Sequence, residues 1–343
     1  MNLLLVAATA LMLVYCGCSG RQDPRADLVD LAGVPVPADW RDHVDATLDL
    51  LADTAADAPY GRAVSTYYDL HRDIGNPDTR QAAGDSLFAF WRDDPTNFLW
   101  IELAAHKSRI LGRKDDRNII YGQLPDTTTA VGGFLRARRF WGFKPGAGEH
   151  FKQAWQRRAE LDSLQTLWLA TRVAMLDSDR GSNDEAVALL REWLPAAGRL
   201  GGLSMTGFYW SVISRYLEGS GRLDMALHAA SLSLACAEAD GHHYMMQMAW
   251  QAVGRILVKR REYEPALEIF NESYRASRAA GYTRWAGDAA HRCADIHMTL
   301  GDRDSVLAHH RRALEIVTTS RDTTDMIYLT GFVAGVHRRL RHM

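Results

Sequence analysis

Trp250-Gln251-Ala252-Val253-Gly254-Arg255-Ile256-Leu257 decides the fold once it is laid over Trp210-Ser211-Val212-Ile213-Ser214-Arg215-Tyr216-Leu217, forty positions earlier. Both stretches carry a tryptophan, an apolar residue three places on, a small residue next, then Arg and two more apolar side chains. The register extends in both directions. Small residues recur at Ala174, Ser214, Gly254, Ala294 and Ala334, and an Ala or Val follows twelve positions later at Ala186, Ala226, Ala266 and Val306. Apolar residues flank the small column at Val173, Ile213, Val253, Cys293 and Val333, and at Leu176, Tyr216, Ile256, Ile296 and Val336. Spacings of three and four place these on one helical face.

A second helix per unit carries Val187, Leu227, Leu267 and Leu307, then Leu194, Leu234, Tyr274 and Leu314 two turns along the same stripe. Gly219-Ser220-Gly221 and Gly301-Asp302 separate the helices within a unit, and Gly201-Gly202, Gly241 and Gly281 separate units. Glycine there supplies the left-handed backbone that ends a helix. A helical hairpin of this kind buries its apolar face only by stacking on its neighbours, so the period predicts an all-α solenoid of antiparallel helix pairs. Where two helices cross at the small column, a large side chain would force their axes apart. Gly254→Leu is therefore expected to be among the most damaging substitutions.

Trp250, Val253, Gly254, Leu257, Ala266 and Phe270 together resemble the signature of the tetratricopeptide repeat (TPR), and Trp210, Ile213, Ser214, Leu217 and Ala226 resemble it nearly as well. The resemblance covers roughly residues 146–343 and implies a right-handed α-solenoid. Its period is longer than the common form and similar to that of the longer-helix variety, and no unit has the proline that often closes the motif. Residues 326–340 read as a lone capping helix whose Arg338, Arg339 and Arg341 keep the outer end wet.

At the other end, residues 3–15 form an uncharged apolar run too short for a comfortable membrane span, and residues 1–18 read as a signal peptide. Cys16-Gly17-Cys18-Ser19-Gly20 resembles the lipobox of bacterial lipoproteins, with Cys18 favoured for lipidation because the small Gly17 precedes it; Cys16, after the bulky Tyr15, is the alternative, and an uncleaved anchor or an ordinary secretory signal are the other readings of the run. Residues 19–38, with Pro24, Pro35 and Pro37, then form a tether. Residues 39–145 show apolar periodicity over 40–54, 60–74, 79–92 and 96–111, with Asp94-Pro95 as a helix start, and read as degenerate repeats or a cap. Helices at 127–141 and 147–160 would form the first pair.

The chain's 343 residues are 47% hydrophobic with a net charge of −2, which suits a globular protein and implies no nucleic-acid partner. Cys236 and Cys293 remain beyond the signal region, Cys293 in an apolar column as a small core residue. Gly202-Leu203-Ser204-Met205-Thr206 lacks the preceding strand and final Gly of a hydrolase nucleophile turn, and His242-His243 and His309-His310 lack the carboxylates and helical spacing of a metal site. No phosphate-binding glycine motif is present. The reading is of a non-enzyme without cofactor, metal or nucleotide.

The TPR resemblance implies that first helices line a concave groove. The candidate partner-binding residues are then Phe208, Ser211 and Arg215, Met248, Gln251 and Arg255, and Asp288, His291 and Asp295, with Trp210 and Trp250 in the core. Arg215 and Arg255, forty apart, would grip an acidic peptide side by side. The expected function is a lipid-anchored scaffold binding a protein or peptide at the bacterial cell envelope, on the periplasmic side and possibly at the outer membrane. The alternatives are a cytoplasmic sensor or regulatory module and a non-catalytic accessory subunit of an envelope enzyme.

Overall fold

The computed structural model describes residues 38–52, 58–75, 78–107, 129–140, 147–179 and 181–319, with Val36, Thr330, Gly331 and Ala334. The expected signal segment with Cys16 and Cys18, the tether apart from Val36 and Ala38, and the capping helix apart from Thr330, Gly331 and Ala334 lie outside the described residues. Every element among the described residues is helical, as the periodicity predicts. None of these helices is long and apolar enough to cross a membrane. The chain divides into two compact units, one of residues 36–244 and one whose described part is almost wholly 245–319.

The first unit contains α1 (Arg41–Ala52), α2 (Gly61–Gly75), α3 (Arg80–Asp93), α4 (Phe98–Lys107), α5 (Ala130–Phe140), α6 (Ala147–Gln156), α7 (Ser163–Asp179), α8 (Asn183–Gly219) and α9 (Leu223–Asp240). The proposed first pair is present: α5 packs on α6, with Phe134 between Phe98 at 3.7 Å and Phe151 at 5.6 Å. α4 starts at Phe98, later than Asp94-Pro95 suggests. The Asp94 carboxylate accepts from Thr96 Oγ1 and Asn97 Nδ2, so residues 94–97 make a turn, and Asn97 Oδ1 caps the helix by accepting from the Leu99 amide. α8 is two helices joined at Gly202, whose φ of 64° and ψ of −155° break the helical path. Gly202 thus does what the Gly201-Gly202 breaker predicts.

α1 is pinned to α8 at both ends of that kink. In the 3-10 turn Ala38–Trp40 that leads into α1, Trp40 lies tilted against Trp210 at 5.9 Å and the Arg191 guanidinium lies 4.2 Å over Trp40 and pairs with Asp39; in α1 itself, Thr47 Oγ1 accepts from Trp210 Nε1 at 2.9 Å. α2 packs against α7 and α8 through Tyr67 on Trp168 (5.1 Å) and Tyr68 on Phe208 (6.5 Å). His242 fastens the far side of α2, with Nε2 3.0 Å from Ser65 Oγ and 3.2 Å from Asp240, which also accepts from Ser204. Deeper in, Glu102 of α4 pairs with Arg172 of α7 at 3.1 Å, almost out of solvent.

The second unit consists of most of α10 (His243–Lys259), then α11 (Tyr263–Ala279), α12 (Thr283–Leu300) and α13 (Arg303–Thr319). α11 packs on α12 and α12 on α13. Gly254 in α10 faces the Phe270 ring of α11 so closely that an added β-carbon would sit 2.6, 2.7 and 2.9 Å from three ring atoms. In the first unit the same column holds Ser214, whose hydroxyl donates across the pair to the Ala226 carbonyl at 2.9 Å. Ala174, Ser214, Ala186, Ala226, Ala266 and Val306 are fully buried and Ala294 is 1% exposed, whereas Ala334 is exposed.

The turns are built alike. The amides of Ser182, Arg222, Glu262 and Asp302 bond the carbonyls of Asp177, Leu217, Leu257 and His297 at 2.9 Å, and His242 and Tyr282 do the same to Ala237 and Ser277. This six-to-one closure needs a left-handed residue just before the donor. Gly181, Gly221, Gly241, Gly281 and Gly301 supply it with φ between 74° and 85°; at the equivalent place after α10, Arg261 takes φ 63°.

Candidate functional site

In the second unit, Gln251 and Arg255 lie one turn apart on α10, flanking the packed Gly254, and Asp288, His291 and Asp295 occupy the corresponding stretch of α12. The same spacing that sends Val253 and Ile256 into the core turns these residues toward one edge of the stack. Gln251 and Asp288 are nonetheless buried, at 7% and 9% exposure, and Met248, Arg255, His291 and Asp295 are half-buried. The Nε2 of Gln251 and the Oδ1 of Asp288 have no hydrogen-bond partner among the described residues. A buried donor and a buried acceptor left unmade each cost about 1–3 kcal/mol, a deficit that a bound peptide group would relieve.

Charge gathers around Asp288. Burial pushes its carboxyl above the ordinary carboxylate value, although Arg292, His291, Arg284 and Arg255 all act in the opposite direction. Desolvation wins because only Arg292 comes near, at 3.9 Å, too long for a hydrogen bond. His291 Nε2 meets Asp295 at 3.4 Å on the next turn. Arg255, Arg284, Arg292 and His291 thus gather around the Asp288 and Asp295 carboxylates. Arg284 and Arg292 were not among the sequence candidates, yet their i−4 and i+4 spacing from Asp288 is a signal the sequence carries. Behind the edge, Ser273 Oγ donates to Gln247 Oε1 at 2.8 Å, a wholly buried tie between α10 and α11.

The first-unit candidates have a different setting. Phe208 is half-buried, stacked on Trp168 at 5.2 Å and met by Tyr68 of α2, so the chain's own helix covers it. The Tyr68 hydroxyl has no hydrogen-bond partner among the described residues, and burial raises its pKa well above the usual phenol value. Ser211 is half-buried, and Arg215 is exposed with its guanidinium 5.5 Å over the Tyr216 ring. Arg215 belongs to the first unit and Arg255 to the second, so their pairing is a property of neither. Trp210 and Trp250 are core residues, at 1% and 6% exposure. Among the described residues no three His, Cys, Asp or Glu side chains converge as a metal site would require.

No family model matches the chain, and no curated protein matches it. Sixteen chains of solved structures are similar to it, among them RapI in its apo form, with 13% sequence identity, a TM-score of 0.50, and coverage of 82% of this chain and 86% of that one. At that identity the likeness carries the fold alone. The all-helical architecture and this likeness fit a TPR-like helical-repeat protein.

Proposed function

We propose that this chain is a non-catalytic TPR-like scaffold of 40-residue repeats that binds an acidic protein or peptide segment along α10 and α12, tethered to the bacterial cell envelope through a lipidated Cys18. The observation that carries the binding reading is that buried Gln251 Nε2 on α10 and buried Asp288 Oδ1 on α12 both lack a hydrogen-bond partner among the described residues, with Arg255, Arg284 and Arg292 acting electrostatically on Asp288. A peptide bond offers the complementary carbonyl and amide, and an acidic side chain pairs with the guanidiniums, which favour carboxylates through their planar fork. The anchor and the location rest on residues 1–38, where Cys18 follows Gly17.

Fluorescence anisotropy with a labelled Glu-rich peptide and its Lys-rich counterpart tests the recognition. The wild type is expected to favour the acidic peptide, and Arg255→Glu/Arg292→Glu to weaken it about tenfold or more. Equal binding of both peptides, or an unaffected double variant, removes the reading. Metabolic labelling with an alkynyl fatty acid tests the anchor: label lost in Cys18→Ser and kept in Cys16→Ser supports it, and an unlabelled wild type shifts preference to the cytoplasmic regulatory alternative.

A further inference from the structure

The first unit has a cavity of about 400 Å³ on the side of α8 that faces α1. Small residues make it. Ala46 and Ala58 leave space that larger side chains would fill, and Gly198 lets the chain pass 3.4–3.5 Å from Thr206 and Leu50 where a β-carbon would begin. Its apolar wall is Leu50, Leu194 and Pro195. The volume lies in the range of small-molecule sites, which are concave, mostly apolar and furnished with a few polar groups.

The charged lining residues are Asp49, an exposed carboxylate with an interaction of its own, and Arg199; the hydroxyls in the floor are already engaged. Thr47 Oγ1 donates to the His43 carbonyl and accepts from Trp210 Nε1, and Thr206 Oγ1 donates to the Gly202 carbonyl. The floor therefore demands nothing polar from an occupant and suits a hydrocarbon. His43 is kept neutral at physiological pH, since burial and the nearby Arg191 both depress its pKa. Arg199 is different: it lines the cavity, is exposed, and makes no ion pair or hydrogen bond with a described residue. A guanidinium with no partner among the described residues, beside an apolar cavity, is complementary to an anion carrying an apolar tail.

We infer that this cavity binds an amphipathic monocarboxylate of the medium-chain fatty-acid class, its tail against Leu50, Leu194 and Pro195 and its carboxylate on Arg199. Two contributions add: burial of the tail at about 25 cal/mol per Å², and a charge-assisted pair at the head. The neutral alcohol of the same length keeps the first and loses the second.

Titration calorimetry of the full chain with decanoate and decanol, both below micelle-forming concentrations, tests this. The wild type is expected to bind decanoate saturably and about tenfold more tightly than decanol. Arg199→Ala, an exposed change that leaves the helical circular dichroism intact, should lower decanoate affinity to that of decanol without altering the decanol value. Gly198→Leu should abolish both by filling the cavity, and the emission of buried Trp210 should respond to decanoate in the wild type only. No saturable decanoate binding, or the same preference for decanoate in Arg199→Ala, overturns the assignment. The acidic-peptide assay reads a different unit, so either result leaves the other standing.

Discussion

Gly254→Ala adds one methyl group to the tightest contact in the second unit. Its β-carbon would lie 2.6 Å from Phe270 Cζ, and an ordinary contact begins near 3.4 Å, so the ring must retreat by about 0.8 Å. Phe270 is fully buried, and packed interiors hold few voids for a ring to retreat into. Forcing an extra methylene-sized group into a packed core costs about 1–3 kcal/mol, against which Ala gains about 1 kcal/mol over Gly in helix propensity. The expected net loss is about 1–2 kcal/mol, and Gly254→Leu should exceed about 4 kcal/mol. Phe270→Leu shortens the ring and should remove the clash. In a double-mutant cycle by urea denaturation, with the slope checked for constancy, the pair should be less destabilised than the sum by at least about 1 kcal/mol. Additivity within about 0.5 kcal/mol, or a Gly254→Ala protein as stable as the wild type, would refute the close-approach account.

Arg172→Met should lose about 3–5 kcal/mol, because it leaves the Glu102 carboxylate buried opposite an apolar side chain; the Glu102→Leu/Arg172→Met pair should recover most of it, read by thermal melts. Arg261→Gly should gain up to about 1 kcal/mol, since φ 63° strains a residue with a β-carbon, and no gain in urea midpoint would mean that the Arg260–Glu262 contact beside it matters more than the strain. His309 is held at about pH 4 by burial, Arg312 and His297, below its unfolded value of about 6.5, so the folded state binds fewer protons. Its contribution is complete above about pH 6.5, is lost as the pH falls toward 4, and His309→Leu should flatten the stability profile across that window.

The helix pairs were legible because packing at the small column leaves the same trace in each unit. Ser214 and Gly254 look like weak helix residues in isolation, and their meaning comes only from recurrence at the place where the Ala226 carbonyl and the Phe270 ring press in. Turn glycines were equally readable, and the left-handed Arg261 shows why the position was more reliable than the residue: the six-to-one bond from Glu262 to Leu257 fixes the backbone whatever side chain is present. The arrangement around Phe208 was not readable. Tyr67 and Tyr68 come from a segment outside the clear repeat, and no periodicity connects residue 68 with residue 208. Gln251 and Asp288 were located as positions one turn from the small column, but their burial depends on neighbouring helices, which a single-helix face cannot reveal.

Burial also determines what those two residues are able to recognise. An exposed aspartate beside three arginines would ionise readily and be neutralised by them, leaving nothing for a ligand to satisfy. Asp288 departs from this because its desolvation outweighs the three nearby arginines and His291, and Arg292 approaches only to 3.9 Å. The arginines lie around a carboxyl whose Oδ1, like Gln251 Nε2, meets no hydrogen-bond partner among the described residues. Affinity for an acidic segment and selectivity for one that also presents its main chain would then come from separate groups: Arg255 and Arg292 for the first, Gln251 and Asp288 for the second.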